Sequence, residues 1–261
     1  MLPGLRLEVV ACTGSTSTDL LRRLQRGVHE PVLRVAEQQT GGRGRQGRSW
    51  VAAPEAALTF SLALPLAPLD WSGLSLAVGV VLADAIEPQP ARLQLKWPND
   101  LWLADGPDSW RKLGGILIET LPLPGGARGC VIGVGLNVGP FAGAGELSSG
   151  YACVQELDAR LTPPALLARV APALLAGLQR FEQGGFAAFA SAYARRDLLR
   201  GLAVATSLAE HPAGVAVGVN VSGALALRTA AGVVHLHSGE ISVRPASTAS
   251  AAALRACGGA A

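Results

Sequence analysis

The sequence is nearly without lysine. Of 22 Lys and Arg side chains, only Lys96 and Lys112 are lysines, and asparagine is as scarce, at Asn99, Asn137 and Asn220. A chain that uses arginine wherever a generic cation serves keeps lysine where a compact ammonium point charge is required. Cysteine is sparse too. Cys12, Cys130, Cys153 and Cys257 are scattered and form no C-x-x-C, so neither a thiolate zinc site nor a disulfide framework is indicated. No uninterrupted apolar run reaches the ~18 residues of a membrane span. The best candidate, residues 74–86, is too short and contains Asp84. Met1 is followed by Pro3 and Arg6 rather than by a signal-peptide core, which points to a cytoplasmic protein. A formal charge of +3 is too small for a bulk nucleic-acid or membrane binder.

What is present is concentrated. Residues 37–50 read EQQTGGRGRQGRSW, with four glycines, three arginines and nothing large and apolar before Trp50. Such a stretch buries no core face. Its glycines allow positive φ and close approach of backbone to a ligand, successive N–H groups can form an anion nest, and Arg43, Arg45 and Arg48 offer planar forks that match phosphate or carboxylate. We expect a mobile loop that folds over an anionic small molecule. Gly42, Gly44 and Gly47 also satisfy G-x-G-x-x-G. Ser49, Trp50, Val51 and Pro54 follow instead of a helix, with no carboxylate about 20 residues on, so a dinucleotide fingerprint is not expected.

Along the chain, Leu5–Val10, Val32–Ala36, Ala57–Leu64, Ile116–Ile118 and Cys130–Val138 read as strands, and residues 93–103 as strand, turn and strand. Helices are expected after Gly14–Thr18, where Ser15, Thr16 and Ser17 are N-cap types, over 74–86, and over 164–182 and 186–196. From Gly201 to Pro245 short alternating runs (202–205, 214–219, 224–228, 233–243) suggest a small β-barrel. His235 and His237 sit two apart, with no third ligand evident. After Ala246 an Ala/Ser/Gly-rich tail is expected to be disordered. The expected division is therefore 1–198, 199–246 and a tail, 247–261.

Several reaction engines are missing. There is no G-x-S-x-G elbow, no lysine follows a glycine as a P-loop requires, and no triad motif is recognisable. Cations, amides and backbone donors remain. They suit activation of an anionic substrate on a nucleotide phosphate, through orientation and charge stabilisation.

The ordered set GSTST (14–18), GRGRQGRSW (42–50), KWPND (96–100), RKLGGILIE (111–119), VIGVGLNV (131–138) and SGEISVR (238–244) resembles the biotin protein ligase family. The resemblance implies an α+β fold: a mixed sheet with helices, like the class II aminoacyl-tRNA synthetases, plus a small C-terminal SH3-like β-barrel. It implies that biotin is activated by ATP with Mg2+ as biotinyl-5′-AMP and transferred to a lysine of a biotin carboxyl carrier domain. It also implies roles. Ser15, Thr16, Ser17 and Gln39 would meet the biotin head. Arg43, Gly44 and Arg45 would close over its carboxylate and the phosphate. Arg48 and Trp50 would order against the nucleotide, and Asn99 and Asn137 would hold it. Lys112 would bridge carboxylate and α-phosphate, and Asp100 would approach the acceptor lysine. No metal ligand is assigned to the chain. Gln46 and Ser17 stand where the family often has arginine and asparagine. The resemblance gives no role with DNA or membrane and leaves a homodimer open. A lipoate or octanoate ligase, and a nucleic-acid-binding module using the arginine loop, are the alternatives.

Overall fold

The computed structural model describes residues 4–123, 127–238 and 241–246. The expected tail and the Gly239–Glu240 pair of SGEISVR lie outside the described residues. Among the described residues twelve strands form two sheets. The first uses β1 (Arg6–Thr13), β2 (Val32–Gln39), β3 (Ala57–Leu66), β4 (Leu93–Lys96), β5 (Asp100–Gly106), β6 (Ser109–Pro122) and β7 (Arg128–Asn137), in the order β1-β2-β3-β7-β6-β5-β4. β1 and β2 are parallel and every other pairing is antiparallel, so the sheet is mixed.

Alternation along the central strands decides what each face carries. On β3, Leu58, Phe60, Leu62, Leu64 and Leu66 join the main core beneath α2 (Leu74–Ile86) and α3 (Pro163–Gly184). The intervening Thr59, Ser61 and Ala63 face the other way. There Ala63 packs with Leu20 and Leu24 of α1 (Thr16–Gln25) and with Val131 of β7. α2 is almost wholly apolar and buried, as a helix sandwiched between a sheet and another helix must be. α1 has one apolar stripe and lies on the opposite face, leaving the rest of that face open for the site.

The second sheet holds β8 (Ala203–Thr206), β9 (Ala213–Val219), β10 (Leu225–Thr229), β11 (Gly232–Leu236) and β12 (Val243–Pro245), all antiparallel, in the order β11-β10-β9-β8-β12. The expected run 233–243 is thus two strands that sit at opposite edges. The helix expected over 186–196 is also shorter. It is a 3-10 turn at 186–188 followed by α4 (Ala190–Ala194), and the two meet at Phe189, whose φ of −111° departs from regular helix geometry.

Two contacts tie the sheets to each other. The buried Trp97 indole donates to the Gly223 carbonyl at 3.1 Å, and Gly223 lies against Gly73, where a Cβ would stand 2.6 Å from the Gly73 Cα. Residues 195–199 also run beside β4, exchanging backbone bonds with Leu95. Arg196 is fully buried there, donating to Asp84 at 2.9 Å, to Glu87 at 3.4 Å and to the Leu93 carbonyl at 3.0 Å. Among the described residues no helix is long and apolar enough to cross a membrane.

Truncating Arg196 leaves buried carbonyls and carboxylates without a donor. Arg196→Ala is therefore expected to lower unfolding free energy by about 3 kcal/mol, read from urea denaturation with an unchanged slope.

Candidate active site

The site begins with what its floor lacks. Gly133 and Gly135 of β7, and Gly115 of β6 paired with Gly135, lie on the face that α1 shares. A Cβ on Gly133 would stand 2.4 Å from the Ser17 hydroxyl, and one on Gly135 would stand 2.4 Å from the Trp50 ring. A Cβ on Gly115 would meet Asp100 at 3.4 Å and Lys112 at 3.6 Å. Three glycines thus mark a line across the sheet over which hydroxyls, an indole and an ion pair settle in turn. Above it opens a cleft of about 530 Å³.

One end is a hydroxyl pocket. Ser15 caps α1, and its Oγ accepts from the Thr18 N–H. The Thr16 N–H and hydroxyl both donate to Gln39 Oε1, at 2.8 and 3.1 Å. The Thr16 and Ser17 hydroxyls each bond the Ser61 hydroxyl, at 2.7 and 2.9 Å. Ser61 is fully buried behind them and orients both. The sequence reading missed it, because a serine at an alternating position of ALTFSLAL looks like any strand residue.

The Gly/Arg stretch is a small folded hairpin. Gly42 and Trp50 bond through their backbones at 2.9 Å, Gly44 and Arg48 at 2.7 Å, and Arg43 bridges Ser49. Its tip is a 3-10 turn over Arg45–Gly47, with Gln46 at φ 58°. No helix follows Gly47, so the phosphate-binding geometry of a dinucleotide fold is absent from this stretch. A Cβ on Gly42 would stand 2.5 Å from the Trp50 carbonyl, which accounts for glycine at the hairpin neck. Arg43 pairs with Glu119 at 3.0 Å and stays half exposed. Arg48 donates to Gln46 at 2.9 Å. Arg45 reaches inward, donating to Asn99 Oδ1 at 3.3 Å and to the Ser238 carbonyl. Burial pulls the Arg45 guanidinium below its usual pKa; Arg48 adds to this and Asp100 opposes it.

The two lysines meet at one carboxylate. Cross-strand pairing sets Lys96 opposite Asp100, and Trp102 opposite Lys112. The Lys112 ammonium lies 2.8 Å from Asp100 and 5.8 Å from the Trp50 ring centroid. Lys96 is buried, 5.4 Å above the Trp102 ring. Burial pushes its pKa down to about 8, with Lys112, Arg244 and Arg48 adding to the fall and Asp100 opposing it. Asn99 is locked in place as its amide donates to the Ile116 carbonyl at 2.8 Å, beside the cis Trp97–Pro98 peptide. Asn137, buried at the end of β7, donates to the carbonyls of Lys112 and Ala152, at 3.3 and 3.0 Å. It therefore fixes the backbone from which Lys112 projects.

All the expected site residues line this one cleft: Ser15, Thr16, Ser17, Gln39, Arg43, Gly44, Arg45, Arg48, Trp50, Asn99, Asp100, Lys112 and Asn137. Residues without an assigned role join them, among them Lys96, Trp102, residues 147–150, and residues 241–245, which lead into and form β12. The scarcity of lysine points to the first of these.

The sequence and the fold are matched in known proteins. A model of the biotin/lipoate A/B protein ligase family fits residues 9–137. The bifunctional ligase/repressor BirA of Escherichia coli (strain K12) is 33% identical over 250 residues, covering 94% of this chain and 76% of that protein. A biotin–acetyl-CoA-carboxylase ligase of Paracoccus denitrificans is 32% identical over 237 residues, 86% of this chain and 95% of that one. The biotin protein ligase from Aquifex aeolicus in complex with biotin and ATP superposes with a TM-score of 0.76 at 26% identity, over 92% of this chain and 99% of that one. The fold and the family match together are those of a ligase of the biotin and lipoate kind. Within that class, the chain belongs to the biotin protein ligase family and is a biotin-ligating enzyme.

A methyl group at position 135 cannot coexist with the Trp50 ring. Gly135→Ala is expected to undock the hairpin while the core stays folded. Limited trypsin digestion with mass analysis should then show faster cleavage after Arg43, Arg45 and Arg48, with an unchanged thermal midpoint.

Proposed function

We propose that the cleft joins biotin to AMP and then passes the biotinyl group to a lysine of a carboxyl carrier domain. The observation that carries this reading is the Lys112–Asp100 ion pair on the glycine floor, at the far end of a line that starts at the hydroxyl pocket and passes beneath Trp50. An elongated substrate with a polar head and an anionic tail fits that order. The ureido head takes the Ser15, Thr16, Ser17 and Gln39 end, and the carboxylate reaches Lys112 beneath the arginine hairpin.

Two anions must approach each other for the first step. A carboxylate oxygen attacks the α-phosphorus of ATP, the bond to the bridging oxygen breaks, and diphosphate leaves. Lys112 and Arg45 neutralise charge that would otherwise keep the reactants apart, in a site whose partial burial strengthens each contact. Arg43, Arg48 and Trp50 complete the lid, while Asn99 accepts from Arg45 and Asn137 fixes the backbone from which Lys112 projects. In the second step the acceptor amine, free of its proton, attacks the acyl carbon. The acyl–phosphate bond breaks and AMP departs. Asp100 orients the incoming lysine, and Lys112 stabilises the phosphate of the leaving AMP.

Mg2+ would arrive with the nucleotide. Among the described residues no group of three or more His, Cys, Asp or Glu side chains is gathered, so its contacts would come chiefly from phosphate oxygens. Its chemistry is charge neutralisation on the leaving phosphates. Residues 1–198 would form the catalytic domain and 199–246 the smaller one.

Incubation with ATP, biotin and a carrier domain, followed by mass measurement of the carrier, tests the reading. Equal or better use of lipoate or octanoate in competition would move the assignment to the other branch of the family. Lys112→Ala is expected to abolish diphosphate release from biotin and ATP with the fold retained. Arg45→Ala is expected to speed dissociation of biotinyl-5′-AMP by roughly tenfold or more, the weight of one charge-assisted contact, measured by chasing labelled adenylate.

A further inference from the structure

We infer that Lys96 is a second catalytic ammonium, devoted to the phosphates that leave in the first step. The inference rests on the proposed adenylation and extends it. The three strands β4, β5 and β6 place Lys96, Asp100, Trp102 and Lys112 on one face through their cross-strand pairing. Two ammonium groups therefore flank a single carboxylate. Lys112 takes that carboxylate at 2.8 Å. Lys96 makes no ion pair or hydrogen bond among the described residues. It stands over the Trp102 ring at 5.4 Å with its stem buried. A buried ammonium without a paired anion is costly, and its place in the wall of the cleft supplies a reason for keeping it.

Position separates the two lysines. Lys112 lies beside Trp50, whose ring covers Gly135, two residues along β7 from Gly133 under the Ser17 hydroxyl. Lys96 lies beside Trp102, and the charges it feels most after Asp100 and Lys112 are those of Arg244 and Arg48. These cations come from the second sheet and the hairpin tip. Three positive groups so gathered form a receptor for a polyanion, and diphosphate is the polyanion the reaction produces. Lys112 then acts at the bond being made, and Lys96 at the group being expelled. The ring of Trp102 holds Lys96 by cation–π attraction, and its indole N–H is a further donor with no protein acceptor among the described residues.

Lys96→Met keeps the volume of the buried stem and removes only the charge, so the protein should fold. The two half-reactions are then measured apart. With biotin and ATP, K96M is expected to raise KM for ATP about tenfold or more and to slow diphosphate–ATP exchange. With biotinyl-5′-AMP supplied, transfer to the carrier should stay close to the wild-type rate, since no diphosphate takes part. Wild-type KM for ATP should also rise as pH passes through about 8, where Lys96 loses its proton, and K96M should lack that rise. The groups facing Lys96 are Asp100, Trp102, Lys112, Arg48 and Arg244. Equal loss in both half-reactions, or unchanged KM and exchange in a folded variant, overturns the inference. Failure of the wild-type protein to modify the carrier at all would instead overturn the proposed function.

Discussion

One carboxylate stands between two ammonium groups, and much of this molecule is arranged to keep it there. Asp100 belongs to a turn whose rigidity comes from Asn99, Pro98 and the buried Trp97. Lys112 belongs to a strand whose backbone is held by Asn137 and by residues 149–152. Lys96 ends the strand paired with that of Asp100. A charged triad in a half-buried cleft would collapse or drift if any of these supports were loose. Each is instead anchored by buried hydrogen bonds, in a core that continues into the second sheet.

The glycines give the triad its room. Gly115, Gly133 and Gly135 occupy cleft-facing positions where alternation would otherwise bring side chains. The opposite face of the same strands is packed with leucine, isoleucine and valine. Strand β7 thus does two jobs: Ile132, Val134 and Leu136 hold the core, and Gly133 and Gly135 between them clear the floor. The arginine hairpin then rests on that floor through Trp50, so lid and base are complementary in shape before any ligand is considered.

Local chemistry made much of this readable in the sequence. The Gly/Arg hairpin announces itself by being unable to bury a core face, and the rarity of lysine directs attention to Lys96 and Lys112. The strands of the first sheet were legible because period-two alternation survives one open face. Ser61 was not, since its meaning depends on α1, 44 and 45 residues away in sequence. Arg244 gained importance only when β12 was found at the edge of its sheet, near Lys96. The 186–196 segment reads as one helix because its aromatic spacing is helical, yet the backbone turns at Phe189 and divides it into a 3-10 turn and a short helix.

The lysine economy has an outcome beyond the cleft. Both ε-amines of this chain are turned into the reaction chamber, one buried and the other bound to Asp100. Its outer surface offers arginine instead, whose guanidinium is a poor nucleophile because it stays protonated. Under the proposed function, acyl groups that escape the cleft would then meet few amines on this chain and would pass to amines on other proteins.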